Sequence, residues 1–390
     1  MRSENRILTT HVGSLIRPPA LVNLLLKRQQ GGAVDDRVFN ACLEVAVADI
    51  VRAQVEIGLD IVNDGEFGKT ISWSKYVLQR LSGIVQVPVD QTSMPAGIVG
   101  RDRREFADFY REYDGTQKFL GLAGWQVNGP ISYTGHKQLQ TDIDDLKRAL
   151  AGRGIERAFM TAVAPASVIP DRDDRFYKTD EEFLYAVADA LHEEYKAIVD
   201  AGFILQVDDA YLATTYDVLV PPGTLADYRR WAELRVEALN HALRGIPEDR
   251  TRYHVCWGSW NGPHVHDVPF KEIADLVLRV KVGGYALEMG NPRHEHEWRV
   301  WERVKLPAGR MLLPGVISHS TNVVEHPELV SERLVRLARV VGRENIVAGT
   351  DCGFAQGPFV QRVHPSIMWA KLQALVAGAR LASRELWGSA

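Results

Sequence analysis

The feature that most constrains the fold is an alternation that runs along the chain, in which short strand-like runs are separated by longer helix-like ones. Eight strand candidates stand out: ILTTHVG (7–13), DIVNDG (60–65), RAFMTAVA (157–164), FILQVD (203–208), RYHVCW (252–257), YALEM (285–289), MLLPGVI (311–317) and NIVAGTD (345–351). The run DEEFLYAVADALHEEYKAIVDAG places apolar residues at helical intervals and stops at Gly202, a C-terminal helix signal. LADYRRWAELRVEALNHAL and HPELVSERLVRLARVVG follow the same pattern. Strict alternation of this kind predicts a parallel α/β protein, and eight strands predict a closed (β/α)8 TIM barrel. An open doubly wound sheet is the competing arrangement, but the chain carries no Gly-rich dinucleotide fingerprint.

One stretch exceeds a minimal barrel. Residues 68–156 separate the second and third strands and include the charged run RDRREFADFYREYDG, then LAGWQVNGPISYTGH, which reads as a β-hairpin with a Gly-Pro turn. A long insertion after a barrel strand lies on the C-terminal face, where loops build active sites. The expectation is therefore a single barrel domain over 1–390 with a hairpin or lid region at 68–156.

Bulk properties exclude several classes. A formal net charge of -4 provides no basic field for nucleic acid or anionic lipid. No apolar run is long enough to span a bilayer, and the polar start MRSENRILTTHVGS lacks a signal-peptide core, so a cytoplasmic protein is expected. The three cysteines, Cys42, Cys256 and Cys352, are too few for a disulfide framework. Cys42 lies among apolar neighbours at helical spacing and reads as core packing.

The chemistry concentrates in HVCWGSWNGPHVHD. His254 and Cys256 are two apart on a strand, so both side chains face the same way. Cys352 ends another strand in AGTDCGF, and Glu288 ends one in YALEMGN. Barrel strand ends converge on one face, where imidazole, two thiolates and a carboxylate make a plausible tetrahedral zinc set. Such an electron-rich zinc suits holding a substrate thiol as nucleophilic thiolate better than making hydroxide. Taken alone, an H-x-C pair reads as a buried core pair. His264, His266, His294 and His296 are rival ligands in loops or helix starts. Other polar residues follow strands: Ser14, with Gly13 permitting close backbone approach, Glu66, Asp208, Asp209 and His319. The acids can hold a substrate ammonium group, and His319 can shuttle a proton.

The segments TTHVGS, DGEFG, GWQVNGP, FMTAVAP, LQVDDA, HVCWG, ALEMGN, GVISHS and GTDCGF together resemble the catalytic C-terminal barrel of cobalamin-independent methionine synthase and its single-domain relatives, among them the epoxyalkane:coenzyme M transferases. They occur in family order over nearly the whole chain. The resemblance implies zinc at His254, Cys256, Glu288 and Cys352, thiol amino-acid binding by Ser14, Glu66 and Asp208, and His319 as proton donor to the leaving group. It departs from the synthase pattern at Asp209, where Glu is usual, at Ala210, in place of Pro, and in APASVIPDRDD, which lacks the Trp that stacks on folate. Trp125, Trp257 and Trp260 are the alternative aromatic surface. The substrates expected are a small-molecule thiol and an alkyl donor, either methyl-folate or an epoxide. Methyl transfer to homocysteine or a similar thiol is the first reading, favoured by the Glu66–Asp208 pair. Epoxide opening by coenzyme M is the second, and its sulfonate needs a cation, for which Arg17 is the candidate. A metal-free decarboxylase-like barrel is the alternative from another reaction class.

Overall fold

The computed structural model describes residues 2–88, 99–116 and 124–388; residues 1, 89–98, 117–123 and 389–390 lie outside the description. Eight parallel strands form the frame: β1 (Leu8–Thr9), β2 (Ile61–Val62), β3 (Arg157–Val163), β4 (Ile204–Asp209), β5 (Thr251–Val255), β6 (Gly284–Leu287), β7 (Met311–Pro314) and β8 (Val347–Ala348). Strands β2 to β7 form one six-stranded sheet in chain order, and β8 pairs with β1. Bridges Leu312–Ile346 and Gly315–Gly349 join β7 to the β8 segment. The Asp60 amide N–H donates to the Thr9 carbonyl at 3.1 Å, bringing β2 against β1. Each expected strand is present in its expected place, and the fold is the (β/α)8 barrel.

The two-residue period of the strands builds the interior in layers. Leu8, Ile61, Phe159, Ile204, Ala286, Met311, Leu313 and Val347 pack as an apolar plug inside the barrel. Above it sits the fully buried Arg252, its guanidinium 3.7 Å from the centre of the Phe159 ring. Its Nε donates to Gln206 at 2.7 Å, and its other nitrogens donate to Thr10 Oγ1 at 3.1 Å and the His11 carbonyl at 2.9 Å. Two and four residues further along the same face come His254 and Cys256. Burying a guanidinium costs several kcal/mol unless its donors are met; here three neighbours meet them, giving the polar layer a rigid floor.

Helix ends match their sequence signals. Thr179 caps Asp180–Asp200 through the Glu182 amide, three acids fill the first turn, and Gly202 follows with φ 96°. Thr224 and Asp227 form a reciprocal capping box at the start of Leu225–Ala242. Pro327 opens Pro327–Val341, and Gly342 closes it.

Between β2 and β3 the outcome differs in one respect. The segment Gly124–Val127 pairs antiparallel with Ile84–Val87, and a bridge joins Leu81 to Tyr133, so no hairpin turns at Gly129-Pro130. Pro130 has no N–H to continue a ladder, yet the chain proceeds along the same neighbour. The partner lies some 40 residues earlier, where local turn chemistry gives no sign of it. The helix His136–Leu150 buries Leu139, Ile143 and Leu146 and packs on Asp36–Glu56 as the crossover helix from β2 to β3. Short helices Arg101–Glu105 and Ala107–Thr116 precede it.

Candidate active site

The strand ends open into a cavity of about 390 Å³. Ser14, Glu66, Asp208, His254, Cys256 and Cys352 all contribute to its wall. Across the mouth lie Asp102 and Tyr110 from the short helices, locked to the loop after β5. Asp102 accepts from the amides of His264 and Val265 and from the Tyr110 hydroxyl at 2.6 Å, and Trp260 Nε1 donates to that hydroxyl at 2.9 Å.

His254, Cys256 and Cys352 offer ligand atoms that all lie within 4.8 Å of one another, and all three residues are buried. The sulfurs of Cys256 and Cys352 are 3.4 Å apart and unbonded. Barrel closure brings together residues 96 positions apart in sequence. Cys256 donates to Cys352, and so does Ser259 Oγ at 3.0 Å. The Cys256 donation, helped by His254 and His319 nearby, holds the Cys352 thiol well below its usual range, while sharing the proton holds Cys256 up. His254 Nδ1 faces Asp208 Oδ1 at 3.1 Å. Burial pulls the imidazole pKa down, but Asp208 and the Cys352 sulfur outweigh it and raise it to about 10. Its Nε2 is buried without a hydrogen-bond partner. An unsatisfied buried ring nitrogen next to two free thiols, with the other nitrogen held by a carboxylate, is the pattern of a metal-ligating histidine.

Glu288 stands beside this trio but outside it. Its Oε1 accepts the Trp257 amide N–H at 2.8 Å, and its Oε2 accepts from Asn291 at 2.9 Å. Burial raises its pKa to about 8. His319 is buried with both ring nitrogens unpartnered, and burial lowers its pKa to about 4.

The other expected residues divide. Glu66 reaches the cavity from a left-handed backbone, φ 61°, directly after Gly65 at φ 69°. Asn63 and Asp64 side chains accept the amides of Gly65 and Glu66, respectively, and hold the turn. Such a backbone costs about 1 kcal/mol for a non-glycine, and here the turn aims the carboxylate inward. Glu66 Oε1 accepts from Thr161 at 2.8 Å and lies 3.5 Å from Lys69 Nζ. Burial raises its pKa to about 7, with Lys69 opposing and Asp208 assisting the rise. Gly13 makes room for this carboxylate: a Cβ there would stand 2.6 Å from Glu66 Oε1. Ser14 lines the wall under Gly353, and its Oγ accepts from the Ala355 amide at 3.4 Å. Asp208 is divided between His254 and Gln206, which donates to the same oxygen at 2.6 Å.

Arg17 is not brought to the cavity. Its guanidinium turns inward and donates to the carbonyls of Glu66 and Lys69, over the Phe67 ring. It ties down the loop that presents Glu66. Three of the four rival histidines are engaged elsewhere: His264 with Asp267, His266 with Glu105, and His294 with both Asp267 and Glu297. Of the aromatic candidates, Trp260 lines the cavity, Trp257 is buried in the core, and Trp125 is not on the wall. Sequence reasoning missed Ser259, Tyr110, Trp73 and Arg362. Ser259 was open to inference, three residues past Cys256 in a turn; the others depend on loop paths with no periodic signal.

These features define a class: a (β/α)8 barrel with a His–Cys–Cys cluster at the C-terminal mouth. Comparison with known proteins agrees. No family model matches the chain. It is 23% identical to a methionine synthase of Sulfolobus acidocaldarius over 99% of this chain and 95% of that one. It is 25% identical to 2-hydroxypropyl-CoM lyase of Xanthobacter autotrophicus over 90% of this chain and 88% of that one. In structure it matches a B12-independent methionine synthase from Shewanella sp. W3-18-1, solved with selenomethionine, with a TM-score of 0.71 and 19% identity over 98% of this chain and 100% of that one. The resemblance read from the motifs therefore extends to overall sequence and fold.

Proposed function

We propose that the chain is a zinc-dependent S-alkyltransferase that methylates a small thiol of the homocysteine type. The observation that carries this reading is the convergence of a His254 ring nitrogen, Cys256 Sγ and Cys352 Sγ within 4.8 Å at the cavity wall. The soft donor set suits zinc. His254, Cys256 and Cys352 would hold the ion, and Glu288, beside the Trp257 amide, would be its fourth ligand. Zinc bound there supplies the charge that keeps a thiol deprotonated near neutral pH.

The protein's own groups supply the rest. Asp208 fixes the His254 ring so that Nε2 points at the sulfurs. Glu66 receives the ammonium group of an amino-acid thiol, and Ser14 lies close by for its other end. His319, kept neutral by burial, would offer the leaving group a ring N–H as a hydrogen-bond donor. Asp102, Tyr110 and Trp260 form the lid over the cavity and exclude water from it. The selenomethionine complex of the Shewanella synthase supports an amino-acid thiol, because it shows that protein holding a selenium counterpart of methionine. The sequence similarity to 2-hydroxypropyl-CoM lyase favours a second reading, in which the same cavity opens an epoxide with a thiol. A metal-free decarboxylase makes no use of the His–Cys–Cys cluster.

The test is turnover of zinc-loaded protein with homocysteine and a methyl-folate, and with 2-mercaptoethanesulfonate and an epoxide, read by mass spectrometry of the thioether. Methionine supports methyl transfer and a hydroxyalkyl thioether the second reading. No thioether from either pair removes both.

A further inference from the structure

The cavity wall is acidic, yet it includes two arginines. Arg103 is paired with Asp114 at 2.7 Å. Arg362 is different: its Nε donates to the neutral Gln356 at 2.5 Å, Tyr113 is its other neighbour, and no carboxylate pairs with it among the described residues. It is half-buried on the cavity wall that also holds Cys256 and Cys352.

The backbone fixes this position. From Cys352 the chain runs through Gly353 and Phe354 into a short hairpin, Ala355–Gly357 against Val360–Gln361. The Arg362 amide donates to the Phe354 carbonyl at 3.0 Å, and the Phe354 amide donates to the Ser14 carbonyl at 2.9 Å. Gly353 lies so close to Ser14 that a Cβ there would stand 2.0 Å from its Oγ. Ser14, Gln356 and Arg362 thus line the Cys352 side of the cavity together. A half-buried guanidinium without an acidic partner is costly unless a bound anion completes it.

We infer that Arg362, held by Gln356 beside Ser14, is the specificity residue that binds the anionic end of the thiol substrate. This rests on the thiol reading above and gives it a specificity residue. It also supplies the cation that coenzyme-type thiols need and that Arg17 does not provide. A guanidinium grips either anion with two parallel hydrogen bonds, and a neutral thiol receives neither.

The test is calorimetric titration of zinc-loaded protein with 3-mercaptopropionate, 2-mercaptoethanesulfonate and neutral 2-mercaptoethanol. The wild type is expected to prefer the anionic thiols by about 10- to 100-fold, the range of charge-assisted hydrogen bonds. Arg362→Gln is expected to abolish that preference while keeping zinc content and 2-mercaptoethanol affinity; Arg362→Lys is expected to restore part of it. Equal wild-type affinity for neutral and anionic thiols, or a preference that survives Arg362→Gln, overturns the assignment while leaving the thiol reading intact. No binding of any thiol overturns both.

Discussion

Replacing Glu66 with Gln tests whether the cavity stores an unfavourable charge. Burial raises the Glu66 pKa from 4.5 to about 7. At roughly 1.4 kcal/mol for each pH unit, keeping this carboxylate ionised costs the folded state on the order of 3 kcal/mol. The folded protein binds more protons than the unfolded chain between the two values, so this group's contribution falls as pH rises from about 4.5 to about 7. Glutamine has nearly the same shape and no charge. Lys69 loses its ion-pair partner in the variant and keeps its 2.6 Å bond to Thr161. Urea denaturation of both proteins at about pH 5 and about pH 8, followed by tryptophan fluorescence, measures the effect. The variant is expected to gain up to about 3 kcal/mol relative to wild type across that range. A stability difference that is the same at both ends would refute the reasoning, because Glu66 would then not titrate in this window. The zinc-loaded variant is also expected to bind homocysteine more weakly, since the ammonium group loses its partner.

Three further substitutions separate the roles around the cluster. Cys256→Ser is expected to lose zinc, measured by plasma emission, and thioether formation, while circular dichroism stays that of the barrel; full zinc retention would contradict the ligand assignment. Asp208→Asn is expected to weaken zinc binding by about 10- to 100-fold in a competition titration, because the His254 ring loses its carboxylate support; unchanged affinity would remove Asp208 from that role. His319→Asn is expected to retain zinc and thiol binding but slow turnover by about 100-fold or more, and an unchanged rate would take it out of the mechanism.

The barrel was legible because its signals are periodic. β5 shows how: alternate residues face the interior, so Arg252, His254 and Cys256 were bound to share a face. Barrel closure then made Cys352 a neighbour of Cys256 without any local clue. What failed to show depends on loop paths. Arg17 follows Ser14 closely, yet it turns away to hold the Glu66 and Lys69 carbonyls, whereas Arg362 comes back to the cavity through a hairpin. Glu288 follows β6 as expected and stands beside the trio, its oxygens accepting from the Trp257 amide and Asn291. Asp208 was expected to face substrate and serves His254 as well, since parallel pairing sets it directly beside that residue. The strand partner of Gly124–Val127 came from far earlier in the chain, where no turn signal points.

Zinc X-ray absorption, with and without a thiol, addresses the central claim most directly. The resting protein is expected to hold one zinc with two sulfur ligands, from Cys256 and Cys352, and addition of homocysteine or 2-mercaptoethanesulfonate is expected to add a third. A zinc shell without sulfur, or one that no thiol enlarges, would contradict the account.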